Sequence, residues 1–367
     1  VVNTRTARPQ LCRGVVNTRT ARLRLCRGVV NTRTARPRLC RGLVNTRTAR
    51  PRLCRGVVNT RTARPRLCRG VVNTRRRKQM SAATQLERPW SDSLRVQPLQ
   101  PTIGAEISGV DLGSPLTTEL RDQIKANLLK YKVIFFRDQH LNREQQVAFA
   151  RQFGPIYTPP YAAAKPIDGA PPGLHLVAAT KELKERLEAQ KGEYWRGFHS
   201  DTNWRLVPSW GAVLRAVDLP PVGGDTIWVD AGLAYTGLPD DVKARLEGLF
   251  ATVDFRDQIL KTGNDYPIVA HPIVRTHRET GHKILWVDLA KKPHIIGLSL
   301  AEGQEILKLI ADQYARPENQ IRFSWRPGSV AFWDNRAAVH YAVRNYGDYP
   351  RVLERVLIAD EPLWSDL

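Results

Sequence analysis

At 367 residues with 42% hydrophobic content, the chain can fill one large core or two ordinary ones and needs no disulfide staples. No run approaches the roughly 18 to 20 consecutive apolar residues of a membrane span, and the first residues lack the apolar stretch of a secretory signal, so a soluble cytoplasmic protein is expected. The net charge of +22 suggests nucleic acid, but 23 of the 57 Lys and Arg lie in residues 1–79, where there is no Asp or Glu; the other 34 face all 35 acidic residues, which leaves no basic footprint on the body.

The first seventy residues are five near-copies of VVNTRTARPRLCRG, followed by a truncated VVNTR and the basic run Arg75-Arg76-Arg77-Lys78. All five cysteines, Cys12, Cys26, Cys40, Cys54 and Cys68, fall in these copies, so neither a disulfide framework nor a cysteine nucleophile is available to the body. A fourteen-residue period matches none of the common solenoid units, and each copy has little to bury. A disordered repeat tail is therefore expected over 1–79. Met80 is the only methionine, and a functional domain is expected over 80–367, with the repeats a solvated tail or a non-native extension.

From about Leu94 the pattern becomes globular. Leu120, Ile124 and Leu128 recur at helical spacing behind a cap at Thr117 or Thr118, and KVIFFR, residues 132–137, has the form of a buried strand. A second helix is expected from an Asn142 cap to a stop at Gly154. The Pro-rich stretch 155–174 predicts a long loop, and the charged segment 180–190 a short surface helix. Strands are expected at 211–216, 226–229, 273–276, 284–287, 329–332 and 352–358, punctuated by Gly223-Gly224 and Thr280-Gly281, with helices at 240–249 and 300–314. Many short strands with helices set to one side predict a mostly β fold with flanking helices, a jelly-roll barrel.

The chemistry centres on WRGFHSDTNW, residues 195–204. An extended segment turns residues i and i+2 to one side, so His199 and Asp201 can offer an imidazole nitrogen and a carboxylate oxygen to one metal ion. By itself the pair is equally consistent with two solvated loop residues. A third ligand has to come from elsewhere, and His340 is the strongest candidate because the apolar strand 330–333 leads into a short connection able to place it across a barrel mouth. Two histidines and a carboxylate on one face of an octahedron are the ligand set of non-haem Fe(II) oxygenases. His271, His277 and His282 lie close together but without regular ligand spacing, which argues against a zinc site.

In RVLERVLI, Arg351 and Arg355 share a strand face. They serve either outward salt bridges or the binding of carboxylate or sulfonate groups, which suit the guanidinium fork.

Taken together, these segments resemble the taurine dioxygenase family, the TfdA-like Fe(II)- and 2-oxoglutarate-dependent oxygenases. The resemblance runs from about Val96 to Pro362 through IGAEISGVDL, KVIFFRDQ, FHSD, LPPVGGDTIWVD, HPIVRTHRETGHKILWVD and WDNRAAVHYAVRNY followed by RVLERV. It implies a double-stranded β-helix in which His199, Asp201 and His340 hold iron. It also implies that Arg351 grips the distal carboxylate of 2-oxoglutarate with help from Thr226, and that Arg355 pairs with the acidic group of the primary substrate.

The implied reaction consumes O2 and 2-oxoglutarate, releases succinate and CO2, and hydroxylates a C–H bond, in a homodimer or homotetramer. Taurine-specific members carry Asn and Trp where this chain has Trp195 and Phe198, and Asp288 stands where many members have Asn. The tract FGPIYTPPY lacks the histidines that taurine oxygenases place after FG. A larger anion with an apolar body, a sulfonate, sulfate ester or aryloxyalkanoate, is therefore expected. Trp195 and Trp204 are candidates to line its pocket, with Tyr161 and Tyr194 nearby; plain core or lid packing is the competing role.

Two rival readings remain distinguishable. A nucleic-acid-binding protein rests on the repeats alone and requires salt-sensitive DNA affinity that survives their deletion. A non-catalytic ligand-binding barrel requires failure to bind Fe(II).

Overall fold

The computed structural model describes residues 94–164, 166–178 and 197–360 and, within residues 2–74, the backbone of the repeat strands. The chain divides into two compact units between Glu87 and Arg88. In the first, VNTRTA segments pair in parallel with the same segment of the next copy, Val2 opposite Val16 and Val16 opposite Val30. The Leu-Cys steps form a separate five-stranded parallel sheet. Strand pairing recurs from copy to copy through these segments. Its physical basis is the repeat itself, since copies at constant spacing offer one another identical neighbours in identical register.

The second unit is mostly β with several helices. Its first strands are β1 (Arg95–Pro98), β2 (Ala105–Ser108) and β3 (Val133–Phe136), with α1 (Thr118–Tyr131) before β3 and α2 (Arg143–Arg151) after it. Thr117 caps α1 by accepting from Leu120 N, and Asn142 with Gln145 forms a capping box on α2, as the sequence predicts. The Pro-rich stretch is less irregular than expected: it holds β4 (Ile156–Tyr157) and a turn of helix, α3 (Pro160–Ala163), before β5 (Leu174–Ala178). The segment 180–190 and Trp195 lie outside the described residues.

Next come β6 (Gly211–Asp218), β7 (Thr226–Asp230), α4 (Ala231–Thr236), α5 (Asp240–Leu246), β8 (Phe250–Val253), α6 (Arg256–Leu260) and β9 (Val269–Pro272). The chain continues through β10 (Val274–Thr276), β11 (Lys283–Leu285), α7 (Leu300–Ala315), β12 (Gln320–Phe323), β13 (Val330–Asp334), β14 (Ala338–Ala342) and β15 (Val352–Ile358).

The large sheet runs β1-β2-β3-β13-β6-β15-β4, with β5 also paired to β15; a second sheet runs β12-β7-β14. One core cluster joins residues of both sheets, among them Val133, Phe135, Trp228, Phe323, Trp333 and Leu353. Ile134, Phe136 and Phe332 belong to a different cluster, with Phe149 of α2 and Ile124 of α1. KVIFFR therefore shows no polar alternation because both faces of β3 are buried. A third cluster packs α7 against Val229, Leu285 and Val339.

β15 positions the site. Its side chains alternate as the sequence predicts, with Leu353 in the intersheet core and Glu354 turned the other way, fully buried. Glu354 accepts from Arg143 Nε at 2.8 Å and pairs with Arg215, while Gln146 Nε2 donates to the Glu354 carbonyl at 2.8 Å. Removing a buried carboxylate leaves two cations uncompensated, a defect of about 3 to 5 kcal/mol. Glu354→Ala should lower unfolding free energy by about 3 kcal/mol in urea titrations; a change below about 0.5 kcal/mol would contradict this reading of the network.

Candidate metal centre and its surroundings

His199 lies in an extended segment that pairs with β14 directly opposite His340. The two backbones exchange both hydrogen bonds, His199 N to His340 O at 3.0 Å and His340 N to His199 O at 2.8 Å. Cross-strand pairing of this kind brings side chains on one face together, and the two rings lie with centroids 4.2 Å apart. His340 is thus a direct neighbour of His199 on a strand, not a residue reaching across a barrel mouth from a connection, as expected. Asp201, two residues on, brings a carboxylate to the same place, with Oδ1 3.9 Å from His340 Nε2.

Among the described residues, His199, Asp201 and His340 form a group of potential ligands whose donor atoms all lie within 4.8 Å of one another. Their chemistry fits a divalent cation. The Nδ1 atom of His199 is 2.9 Å from Gly197 O, which assigns the proton to Nδ1 and leaves Nε2 as a ligand. Asp201 Oδ2 and His340 Nδ1 are buried without a hydrogen-bond partner. Such groups are costly to bury unless something else satisfies them.

The electrostatics agree. Burial pushes both imidazoles down to about 4, with the neighbouring His340 adding to the effect on His199. Burial alone would raise the Asp201 carboxyl, but Arg355, then His340 and His199, hold it below its ordinary value. At neutral pH the cluster is two neutral imidazoles and one carboxylate, the protonation state a metal requires.

Arg355 of β15 and Arg351, the residue just before that strand, face inward, which removes the outward salt-bridge reading. Arg355 pairs with Asp201, and its Nε donates to His175 Nε2 at 2.9 Å. His175, on β5, was not singled out from the sequence. Its ring is 5% exposed and pushed down to about 3 by burial and by Arg355, so it is neutral and accepts from the guanidinium. Tyr161 stands edge-on to His175, with ring centroids 6.1 Å apart, and burial pushes its hydroxyl up to about 12.

Arg351 is buried and has no carboxylate within ion-pair distance among the described residues. Its Nε donates to Gly224 O at 2.7 Å and its Nη2 to Thr226 Oγ1 at 3.2 Å, and Thr226 also accepts from Trp325 Nε1 at 3.0 Å. Gly224 has φ +72°, and a Cβ there would meet Arg351 Cδ at 3.0 Å, so glycine is needed for both conformation and space.

Trp204 lies apart from the ligands. It is 3% exposed in a satellite core with Val253, Ile259 and Val269, and stacks on Phe255 at 5.7 Å. The three other histidines of the sequence argument do not converge. His271 Nε2 is 2.8 Å from Asn203 O, His277 Nε2 is 3.0 Å from Asp334 Oδ2, and His282 is exposed.

With this geometry in place, known proteins give the context. The sequence profile of the family described as "Taurine catabolism dioxygenase TauD, TfdA family" matches residues 95–357. An alpha-ketoglutarate-dependent sulfate ester dioxygenase of Pseudomonas putida is 33% identical over 300 residues, covering 77% of this chain and 95% of the relative. An (S)-phenoxypropionate/alpha-ketoglutarate-dioxygenase of Sphingobium herbicidovorans is 32% identical, covering 74% and 97%. The crystal structure of a taurine dioxygenase from Burkholderia xenovorans superposes with a TM-score of 0.63 at 36% identity, covering 73% of this chain and 92% of that one.

Two outcomes follow. His199→Ala or His340→Ala should weaken Mn(II) binding in calorimetry by more than the roughly 10- to 100-fold that loss of an outer partner costs; unchanged affinity would remove that histidine from the site. Because both imidazoles have folded-state values near 4, below the ordinary 6.5, the unfolded chain takes up protons first as pH falls. Stability contributed by the pair is therefore complete above about pH 6.5 and lost between about 6.5 and 4. Metal-free urea midpoints should fall across that window less steeply in the His199→Ala/His340→Ala double variant than in the parent. Equal slopes would contradict the assignment.

Proposed function

The chain belongs to the taurine catabolism dioxygenase TauD, TfdA family, and from that premise we propose that this Fe(II)- and 2-oxoglutarate-dependent dioxygenase hydroxylates a small organic anion of the sulfate ester, sulfonate or aryloxyalkanoate class. The observation that carries the reading is the pair of inward-facing arginines at β15 and just before it, Arg355 against the His199–Asp201–His340 cluster and Arg351 buried without a carboxylate partner among the described residues.

Iron bound by His199, Asp201 and His340 supplies the oxidative decarboxylation of 2-oxoglutarate to succinate and CO2 with O2, and the oxidation of a substrate C–H bond. The chain's own residues place the reactants. Arg351 has guanidinium N–H groups left over after Gly224 and Thr226, in a site without a competing carboxylate, and receives the distal carboxylate of 2-oxoglutarate. The Thr226 hydroxyl accepts from Arg351 and Trp325, so its own proton is free to be donated to the same carboxylate. Thr226 reaches the metal side because β7 pairs with β14, Trp228 opposite His340.

Arg355, His175 and Tyr161 form the receptor for the substrate's acidic group. Its apolar body has an aromatic wall in Tyr161 and Phe255, backed by Trp204, which acts as packing behind the wall. That polarity, a charged end beside the metal and an apolar end away from it, brings the adjacent C–H bond to the oxidant and excludes water from it. Alkyl sulfates and aryloxyalkanoates have this shape; taurine, with an ammonium at its far end, does not. The metal-binding unit as a domain over 80–367, its double-stranded β-helix topology, a cytoplasmic location and assembly as a homodimer or homotetramer are part of the same proposal.

The test is succinate release from 2-oxoglutarate with Fe(II) and ascorbate, screened against hexyl sulfate, hexanesulfonate, phenoxypropionate and taurine. Stimulation by one of the first three above taurine is expected, and stimulation by taurine alone would overturn the substrate class. Arg351→Ala should raise the KM for 2-oxoglutarate by about 10- to 100-fold, the cost of a charge-assisted bond of about 1.5 to 3 kcal/mol. Arg355→Ala should abolish substrate stimulation while leaving slow uncoupled succinate release. Unchanged kinetics in either variant would remove that arginine from the site.

A further inference from the structure

Asp201 is followed by a strained turn. Thr202 has φ +54°, in the left-handed region that a β-branched residue rarely occupies, a conformation that persists only where the surroundings over-determine it. The surroundings here are specific. Thr202 O accepts from Arg205 N at 3.0 Å, and Thr202 Oγ1 accepts from Ser209 N at 2.8 Å. His271 Nε2, 2.8 Å from Asn203 O and 3.0 Å from Arg205 O, donates into the same turn.

The remaining support comes from Asn335, which is 0% exposed and lies between β13 and β14. Its Oδ1 accepts from Asp201 N at 2.7 Å, and its Nδ2 donates to Asp201 O at 2.7 Å and to Ser209 O at 2.9 Å. Asn335 is itself fixed at both ends of its backbone: its N–H donates to Trp210 O at 2.8 Å, and its carbonyl accepts from Trp286 Nε1 at 3.3 Å.

We propose that Asn335 is a positioning residue for the metal centre: it holds both peptide groups of Asp201, keeps the Thr202 turn in its left-handed conformation, and so aims the Asp201 carboxylate at the two histidines. The side chain makes no contact with the ligand atoms themselves. It acts on the backbone from which the carboxylate springs, and it ties Asp201 to the connection leading into β14, the strand that carries His340. Without it, the turn relaxes toward ordinary backbone angles, and a shift of Asp201 by part of a turn points its oxygens away from the imidazoles.

The inference rests on the cluster being a metal site, and its test separates the two claims. Mn(II) binding to the full chain is measured by calorimetry, and Co(II) binding by visible absorption, which reports ligand geometry without turnover. Asn335→Ala should weaken both metals by about 10- to 100-fold and alter the Co(II) spectrum. Asn319→Ala is the control, since Asn319 is also buried but its side chain donates to Gln313 O in the last turn of α7. That variant should lose stability yet keep metal affinity and spectrum. Should Asn335→Ala fail to fold, Asn335→Asp keeps the acceptor for Asp201 N–H while losing both donated bonds, and at least a tenfold loss is expected.

Parent-like affinity and spectrum in a folded Asn335 variant would overturn the proposal while leaving the metal site intact. Equal weakening in Asn319→Ala would overturn it too, by showing a general effect of stability. Failure of the parent chain to bind either metal would overturn both the site and the inference.

Discussion

The constraint on which the site depends is the short connection, residues 335–337, that carries the chain from β13 in the large sheet to β14 in the second sheet. His340 is part of β14, His199 is hydrogen-bonded to His340 through both backbone groups, and Asp201 is held through Asn335 at the turn between the two strands. All three candidate ligands therefore take their register from β14 and the connection that leads into it. That turn is itself locked by charge. Asp334 accepts from Arg336 Nε at 2.9 Å and faces His277, and although burial alone would raise its carboxyl, Arg336 and His277 hold it far below the ordinary range. Rigid support of this kind sets ligand geometry before a metal arrives.

β15 supplies the second half of the arrangement. The strand and the residue before it place Glu354 in a buried ion network on one face, and Arg351 and Arg355 on the other, because extended side chains alternate with a period of two. Two buried guanidinium groups are costly without anions. Arg355 meets the cost in this state with Asp201, while Arg351 relies on a carbonyl, a hydroxyl and the close approach that Gly224 permits. In the proposed reaction, anionic reactants complete both sites, which links the choice of 2-oxoglutarate and an acidic substrate to the same stretch of chain.

Much of this was legible in the sequence, for identifiable reasons. The caps at Thr117 and Asn142, the doubly buried strand KVIFFR and the alternation in RVLERVLI are local patterns, and local physics enforces them. His199, Asp201 and His340 lie together in one cluster, and Arg351 reaches Thr226 in another contact. What local patterns could not give was anything decided by long-range pairing. The strand around His340 reads as a connection because AVHYA is short, and only its pairing with β7 and with His199 makes it β14. His175 looks like an ordinary strand residue until β5 aligns it opposite Arg355. Asn335 looks like a turn residue, with its role visible only once Asp201 is beside it. Trp204 read as a pocket residue from its place next to the ligands, but the left-handed turn at Thr202 sends it into a satellite core.

The most direct measurement of the central claim is anomalous diffraction from crystals grown with Mn(II) and 2-oxoglutarate. The account predicts one strong manganese peak shared by His199, Asp201 and His340, with the distal carboxylate of the keto acid against Arg351 and Thr226. A peak at His271, His277 or His282, or a keto acid bound away from Arg351, would contradict it.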